Sequence, residues 1–145
     1  MSSGVLVDTN VLLAYSRNDH PRHAAAQAGI DRLVRQGDVL FVASQNIAEF
    51  WSVMTRPAGS PNGLGYLPSE ARTAVDRLLE VFELLPDTDS AFAIWLDLVT
   101  RYNVSGKTTH DARLVAAMLA NDVSRILTFN GSDFERYKEI SIETP

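Results

Sequence analysis

The amino-acid sequence predicts an α/β fold, a three-layer α/β/α sandwich with a central parallel sheet of four to five strands. Short apolar runs rich in β-branched residues alternate with longer segments whose apolar residues recur at helical spacing. Uninterrupted apolar runs are typical of strands that are buried on both faces of a parallel sheet. At 145 residues the chain suits one domain, and we expect residues 1–145 to form a single domain.

Apolar runs and helix-end signals define the predicted elements. The predicted strands are residues 5–8, 39–43, 82–85, 125–129 and 140–142. The predicted helices are a short one after Asp8 and residues 21–35, 44–56, 68–81, 87–102 and 109–121. We expect Ser44 to cap the third helix and Phe92, Trp95, Leu96 and Val99 to lie inside. We expect residues 58–67 to form a long loop near the site, because this segment is rich in Gly, Pro, Ser and Asn.

The composition excludes several classes of protein. With 46% hydrophobic and 21% charged residues, the chain is neither disordered nor fibrous. The absence of cysteine excludes disulfides, thiolate metal sites and a cysteine nucleophile. The net charge of -5 argues against purely electrostatic binding of nucleic acid, so any such contact should be local. No signal peptide or membrane span is visible, which predicts a cytoplasmic protein.

Three acidic residues carry the strongest functional signal. Asp8 ends the first predicted strand and precedes Thr9 and Asn10, which can hold a carboxylate or a metal-bound water by hydrogen bonds. Glu49 lies at the edge of the apolar stripe of a helix, and Asp111 lies in the first turn of another. Each also has a plain interpretation: a helix cap, a solvated surface group and a favourable charge at a helix N-terminus.

A common location makes the acidic residues more informative than any one of them alone. Ligand sites in parallel sheets lie at the carboxyl ends of the strands, where Asp8 is expected. A fourth polar group, Asn130 or Asp133, follows the strand at 125–129. Clustered carboxylates repel one another, so such a cluster usually holds a divalent cation. The pattern therefore predicts metal-assisted phosphoryl chemistry.

The whole chain resembles the PIN-domain ribonucleases. The similar segments are Asp8-Thr9-Asn10 after an apolar strand, residues 44–51 around Glu49, His110-Asp111-Ala112, and residues 128–134. Residues 55–57 and 62–65 are also similar to a stretch of the VapC-like toxins of bacterial type II toxin–antitoxin pairs. Many relatives carry an Asp where this chain has Asn130, which leaves open whether Asp133 completes the acidic site and whether one or two metal ions bind.

The resemblance implies a PIN-like fold and a Mg²⁺- or Mn²⁺-dependent endoribonuclease. It implies that Asp8, Glu49 and Asp111 are catalytic acids and metal ligands, and Asp133 is a further candidate for a catalytic residue. Thr9, Asn10 and Asn130 would support the ligands from a second shell. It further implies an RNA substrate, a cognate antitoxin protein and a homodimer. Four cationic residues are candidates for RNA backbone contacts, although ordinary surface charge is the alternative for at least half of them: Arg17, Arg56, Lys107 and Arg113.

Other functions fit the sequence less well. A haloacid-dehalogenase-type phosphatase needs a second Asp where Asn10 stands, and a dinucleotide-binding fold needs a glycine-rich first turn. The serious alternative is a non-catalytic PIN-like module that binds RNA or protein. For assembly, Trp51 and Trp95 are candidates for a dimer interface, with the monomer core as the alternative. An antitoxin is expected to insert a cationic residue beside the acids and to cover helices around Tyr15 and Phe50.

Overall fold

The computed structural model describes residues 3–145, and these form one parallel sheet covered by helices. The strands are β1 (Gly4–Val7), β2 (Val39–Val42), β3 (Glu83–Leu84), β4 (Arg125–Leu127) and β5 (Ser141–Glu143). The helices are α1 (Thr9–Ser16), α2 (His23–Arg35), α3 (Ser44–Thr55), α4 (Pro68–Val81), α5 (Ser90–Arg101) and α6 (Thr109–Ala120). Short 3₁₀ turns occur at Gly106–Thr108 and Gly131–Asp133.

The sheet has the strand order β3-β2-β1-β4-β5, and every neighbouring pair is parallel. The chain therefore builds outward from β1 through β2 and β3, and then returns to the other side of β1 with β4 and β5. This reversal places a topological switch point between β1 and β4, where open α/β sheets bind their ligands. The predicted fold class is confirmed, with five strands.

Alternate side chains of the central strand enter two different hydrophobic cores. Val5 and Val7 pack with residues of α1, α2, α3 and α4 on one face of the sheet. Leu6, between them, packs with residues of α5 and α6 on the other face. Burial of each such side chain contributes roughly 1.5–3 kcal/mol to folding. The sheet is therefore held between two helical layers, and its strand ends are fixed in position.

The predicted interior of α5 is wrong in part. Phe92 is 67% exposed and Leu96 is 48% exposed, whereas Leu98 is fully buried. Trp95 is half-buried, and its Nε1 donates to the carbonyl oxygen of Thr109 at 3.0 Å. The apolar face of the helix is broad and lies opposite Asp97, Thr100 and Arg101, so its sequence alone does not tell which of the apolar residues face the sheet.

Some predicted element ends are also wrong. α2 begins at His23 rather than at 21, because residues 20–23 form a turn in which His23 N donates to His20 O at 3.0 Å. α5 begins at Ser90 rather than at 87. β3 and β4 are shorter than predicted, and β5 is shifted by one residue.

The predicted cap of α3 by Ser44 is wrong as well. Ala43 occupies the N-cap position, and its N–H donates to Oδ1 of Asn46 at 2.8 Å. The Ser44 hydroxyl instead donates to Asp87 at 3.2 Å. Within residues 3–145, no helix is long and apolar enough to cross a membrane.

Candidate active site

The candidate site forms where β1 and β4 end side by side. Asp8 follows β1, and Thr128 follows β4. The backbone N–H of Asp8 donates to the carbonyl oxygen of Leu127 at 3.0 Å, which extends the strand pairing by one residue. Both side chains therefore lie at the carboxyl edge of the sheet, at its switch point.

Two hydrogen bonds fix the carboxylate of Asp8. Oδ1 accepts from the backbone N–H of Thr9, and Oδ2 accepts from the hydroxyl of Thr128, both at 2.8 Å. The oxygen of Thr128 accepts from Asn10 Nδ2 at 3.3 Å and from Asn130 N at 3.0 Å. Because both of these groups only donate, the hydroxyl proton of Thr128 is directed to Asp8.

A second hydroxyl holds Glu49 in the same way. Glu49 lies on α3, and its Oε1 accepts from the hydroxyl of Thr9 at 2.9 Å. The oxygen of Thr9 accepts in turn from Asn46 Nδ2 at 3.2 Å. Thr9 is the first residue of α1, so this chain connects α1 to α3 at the edge of the sheet.

The acidic residues share one cleft of about 390 Å³. Four carboxylates line it: Asp8, Glu49, Asp111 and Asp133. The other lining residues are Thr9, Asn10, Gln45, Ser52, Val53, Arg56, Leu114 and Asn130. The structure thus brings the seven predicted acidic and supporting residues together around a single opening.

The carboxylates of the cleft disfavour one another's charge. Burial raises the pKa of Asp8, and the charges of Glu49 and Asp133 raise it further, against the opposing hydrogen bonds from Thr128 and Thr9. The pKa of Asp111 is raised to about 6, first by burial and then by Asp133, Asp8 and Glu49. The cleft therefore holds negative charge that a cation would stabilise.

The sequence matches the family model of the PIN domain over residues 5–140. The chain belongs to the PIN domain family. No curated protein sequence matches this chain. The assignment therefore depends on the family match, which spans almost the whole chain, and on the fold.

Solved structures with the same fold include two VapBC structures and a VapC toxin. VapBC2 from Rickettsia felis, bound to a DNA fragment from its promoter, is 15% identical with a TM-score of 0.75, covering 98% of both chains. The sarcin-ricin loop cleaving toxin VapC20 of Mycobacterium tuberculosis is 19% identical with a TM-score of 0.65, covering 92% of this chain and 95% of its own. VapBC-1 of nontypeable Haemophilus influenzae is 17% identical with a TM-score of 0.66, covering 97% of both chains.

The donor set of this PIN domain suits a hard divalent cation. Carboxylate and amide oxygens are the ligands that Mg²⁺ and Mn²⁺ prefer, and a bound cation would offset the burial and mutual repulsion that raise the pKa of Asp8 and Asp111. Within residues 3–145, no three Asp, Glu or His side chains are placed to ligate one ion together. This open arrangement fits an ion that keeps several waters and takes only one or two carboxylates directly.

The four cationic candidates lie in different places. Arg56 lines the cleft, and its guanidinium donates to Pro61 O at 3.3 Å and to the Ser52 hydroxyl at 3.2 Å. Arg113 lines an adjoining depression that Glu49 also borders. This arrangement leaves Arg56 and Arg113 as the candidates closest to the carboxylates.

The other two candidates are placed less favourably. Lys107 is exposed on the 3₁₀ turn before α6. Arg17 lies just after α1, pairs with Asp19 at 3.4 Å and lines a separate pocket with Tyr66 and Arg77.

Three residues of the site were missed from the sequence. Thr128 and Asn46 are fully buried. Thr128 donates to Asp8, and Asn46 donates to the Thr9 hydroxyl that holds Glu49. Gln45 borders the cleft, and its Nε2 donates to the carbonyl oxygen of His110 at 2.8 Å, joining α3 to the start of α6. The detectable signal was the pair of amide residues in the first turn of the helix after β2, because amides are uncommon inside a helix unless they bond to something.

Proposed function

We propose that this PIN domain is a Mg²⁺- or Mn²⁺-dependent endoribonuclease that cleaves RNA phosphodiester bonds, and that it is the toxin of a toxin–antitoxin pair. One observation carries the proposal. Asp8, Glu49, Asp111 and Asp133 share a single cleft at the carboxyl edge of the sheet, where burial first and then their charges raise the pKa of Asp8 and Asp111. Such mutual repulsion is unfavourable for folding, and it is typical of sites that bind a divalent ion.

The residues of the cleft would either bind the ion or orient the carboxylates that bind it. One or two of Asp8, Glu49 and Asp111 would bind the ion directly and the others through water, and Asp133 would add the fourth negative charge. When bound, the ion would neutralise a phosphodiester oxygen and lower the pKa of a bound water. Thr128 and Thr9 hold Asp8 and Glu49 by hydrogen bonds of 2.8 and 2.9 Å, so the carboxylates need little rearrangement.

The RNA would be held by local positive charge, since the chain as a whole is acidic. Arg56 lies in the cleft itself, and Arg113 lies beside it. The guanidinium group of an arginine matches two oxygens of a phosphate, which suits it to hold the backbone on both sides of the cleaved bond. Arg17 lines a different pocket, so it is a less direct candidate for this role.

The cleavage assay separates the nuclease from a non-catalytic RNA-binding module. Purified protein is incubated with end-labelled single-stranded RNA and Mn²⁺, with a chelator control and with Asp111→Asn as the matched variant. We expect fragments only with metal and only from the native chain. Binding of RNA without any cleavage under these conditions would favour the non-catalytic alternative.

We extend the proposal to an antitoxin partner. VapBC2 and VapBC-1 share this fold, and the acidic cleft is complementary to an inserted Arg or Lys side chain. The predicted docking surface around Phe50 is wrong, because Phe50 is fully buried. Exposed apolar side chains lie instead on α4 at Leu79 and Val81. Beside them, a pocket lined by Tyr15 and Val81 lies between α1 and α4.

Co-expression with the product of the neighbouring small open reading frame tests this partner. A pull-down across a salt series should show weaker capture as ionic strength rises, because part of the attraction is between exposed charges. If no neighbouring product binds, and overproduction of the chain is harmless, the toxin assignment fails even where the nuclease assay succeeds.

We also propose a homodimer through α5. Trp51 and Trp95 are each half-buried and pack against the cores of their own chain, so neither is free to form most of an interface. Phe92 and Leu96 are the exposed large apolar residues of α5. An exposed pair of this size on one helix is typical of a surface that another protein covers.

A further inference from the structure

We propose that Asn46 is a positioning residue of the candidate active site, which acts through Thr9 to hold Glu49 in the cleft. The proposal deepens the nuclease function and rests on it, since Glu49 is taken there as one of the acids that hold the ion. Asn46 itself does not line the cleft, and its side chain forms hydrogen bonds with Ala43 and Thr9.

The orientation of the Asn46 amide is fixed by the backbone. Asn46 is fully buried, and its Oδ1 lies 2.8 Å from the N–H of Ala43, a group that can only donate. The oxygen must therefore face Ala43, and the Nδ2 group must face the other way. On that side it meets the hydroxyl oxygen of Thr9 at 3.2 Å.

The direction of the Thr9 hydroxyl follows from its two neighbours. Asn46 Nδ2 has only protons to give, and the ionised carboxylate of Glu49 has only lone pairs. Thr9 must accept from Asn46 and donate to Glu49, at 2.9 Å. The polarity of three successive hydrogen bonds is thus set by one backbone N–H, and the last of them ends on a carboxylate of the cleft.

These three successive hydrogen bonds restrict the position of the Glu49 side chain. Glu49 is an exposed residue, and a long exposed side chain normally samples several rotamers. In the described part of the chain, its recorded hydrogen bond is the one from Thr9. Loss of the fixed hydroxyl would therefore free Glu49 to leave the cleft and weaken its contribution to ion binding.

Asn46 also caps α3 through Ala43, so the test must separate capping from positioning. Asn46→Asp retains the acceptor for the Ala43 N–H but cannot donate to Thr9. The Thr9 hydroxyl should then turn to Asp at this position, and Glu49 should lose its partner. In a crystal structure of this variant without metal, we expect Glu49 Oε1 beyond hydrogen-bonding distance of Thr9 Oγ1. A retained bond between Thr9 and Glu49 would overturn the proposal.

A double-mutant cycle on Mn²⁺ affinity provides a second, independent test. Loss of a hydrogen-bonding partner of a metal ligand typically costs 10–100-fold in affinity. We expect Asn46→Ala to weaken Mn²⁺ binding, measured by calorimetry, about tenfold in the native background. In a Thr9→Val background the same change should cost less than about twofold, because the connection to Glu49 is already broken. Thr9→Ser should retain native affinity.

The outcomes are distinguishable from failure of the proposed function. Equal losses in both backgrounds would show that Asn46 acts only on the fold, and the positioning role would be wrong. If Asn46→Ala does not fold, the Asn46→Asp structure decides the question. If the native chain binds Mn²⁺ and the cycle behaves as expected but RNA is not cleaved, the positioning role stands and the nuclease function fails.

Discussion

Thr128 donates its hydroxyl proton to Asp8 Oδ2 at 2.8 Å, although 120 residues separate the two. The bond joins the ends of β4 and β1, on either side of the switch point of the sheet. The carboxylate of Asp8 is therefore oriented by a residue that is distant in the sequence. The site is complete only when both halves of the sheet have formed.

Replacement of Thr128 by Val should disturb both stability and metal binding. Val keeps the shape but leaves Asn10 Nδ2 and the N–H of Asn130 without their acceptor. These groups are only partly buried, so water replaces part of what is lost, and we expect a loss of about 1 kcal/mol in the free energy of unfolding. Urea denaturation and Mn²⁺ calorimetry check both effects. Thr128→Ser retains the hydroxyl and should behave like the native chain, and an equal loss in Ser would exclude the hydrogen bond as the cause.

Asp8→Asn should abolish metal-dependent RNA cleavage without harming the fold. Burial, followed by the charges of Glu49 and Asp133, raises the pKa of Asp8, so a neutral residue relieves an unfavourable charge. The melting temperature without metal should hold or rise, while cleavage is lost. Asp122→Asn is the matched control, since Asp122 is exposed and its φ of 56° is one that Asn tolerates. Full activity of the Asp8 variant would refute its role.

Without metal, the protein should lose stability as the pH rises from about 4 to about 6. The pKa of Asp111 is raised to about 6, above its ordinary value near 3.9. Between these values the folded state binds more protons than the unfolded state, so raising the pH favours unfolding. Thermal melting in a chelator across this range should show the decline, and Asp111→Asn should flatten it. Saturating Mn²⁺ should also flatten it, because a bound cation favours the charged carboxylate.

The acidic residues of the site were predictable because local pattern fixed their positions. Asp8 ends an apolar run, and Asp111 begins a periodic one, so both were expected at the edge of the sheet. Glu49 needed the additional information that its helix carries an apolar stripe beside it. Each of these signals comes from residues within about one helical turn of the acid in the sequence. Over that distance the backbone geometry determines which side chains share a face.

The supporting residues were not predictable because their partners are distant in the sequence. Thr128 was included in the predicted strand at 125–129, since a β-branched residue suits a strand. In the sequence Asn46 resembles any other polar residue of a helix, because its role depends on Thr9, 37 residues earlier. The exposure of Phe92 depends on how α5 packs against α6, which an apolar helix does not encode by itself.

The stabilisation that Asp38 provides should increase with pH, which is the opposite of the dependence expected from Asp111. A double hydrogen bond to Arg125, at 2.7 and 3.2 Å, holds the pKa of Asp38 below its ordinary value. Stabilisation from a lowered carboxyl pKa is present above about pH 3.9 and is lost as the pH falls through the folded value. The Asp38→Asn variant should therefore be destabilised more at pH 7 than at pH 3. Melting temperatures of the two chains at both pH values check this, and an equal difference at both would contradict it.

A pair of surface variants should separate the proposed homodimer from the proposed antitoxin complex. Phe92 lies on α5 with its ring centroid 6.1 Å from that of Trp95, whereas Leu79 lies on α4 in the other helical layer. Both side chains are exposed and neither belongs to the buried core, so an Asp at either position should leave the fold intact. A charge in the centre of an apolar interface is strongly unfavourable, and each variant should abolish only the contact made by its own surface.

Light scattering at micromolar concentration and pull-down with the antitoxin provide the two readouts. We expect Phe92→Asp to be monomeric and to retain the antitoxin. We expect Leu79→Asp to remain dimeric and to lose it. Far-ultraviolet circular dichroism of both variants controls for folding. A monomeric native chain would exclude the dimer, and loss of both contacts in one variant would show that the two surfaces are not independent.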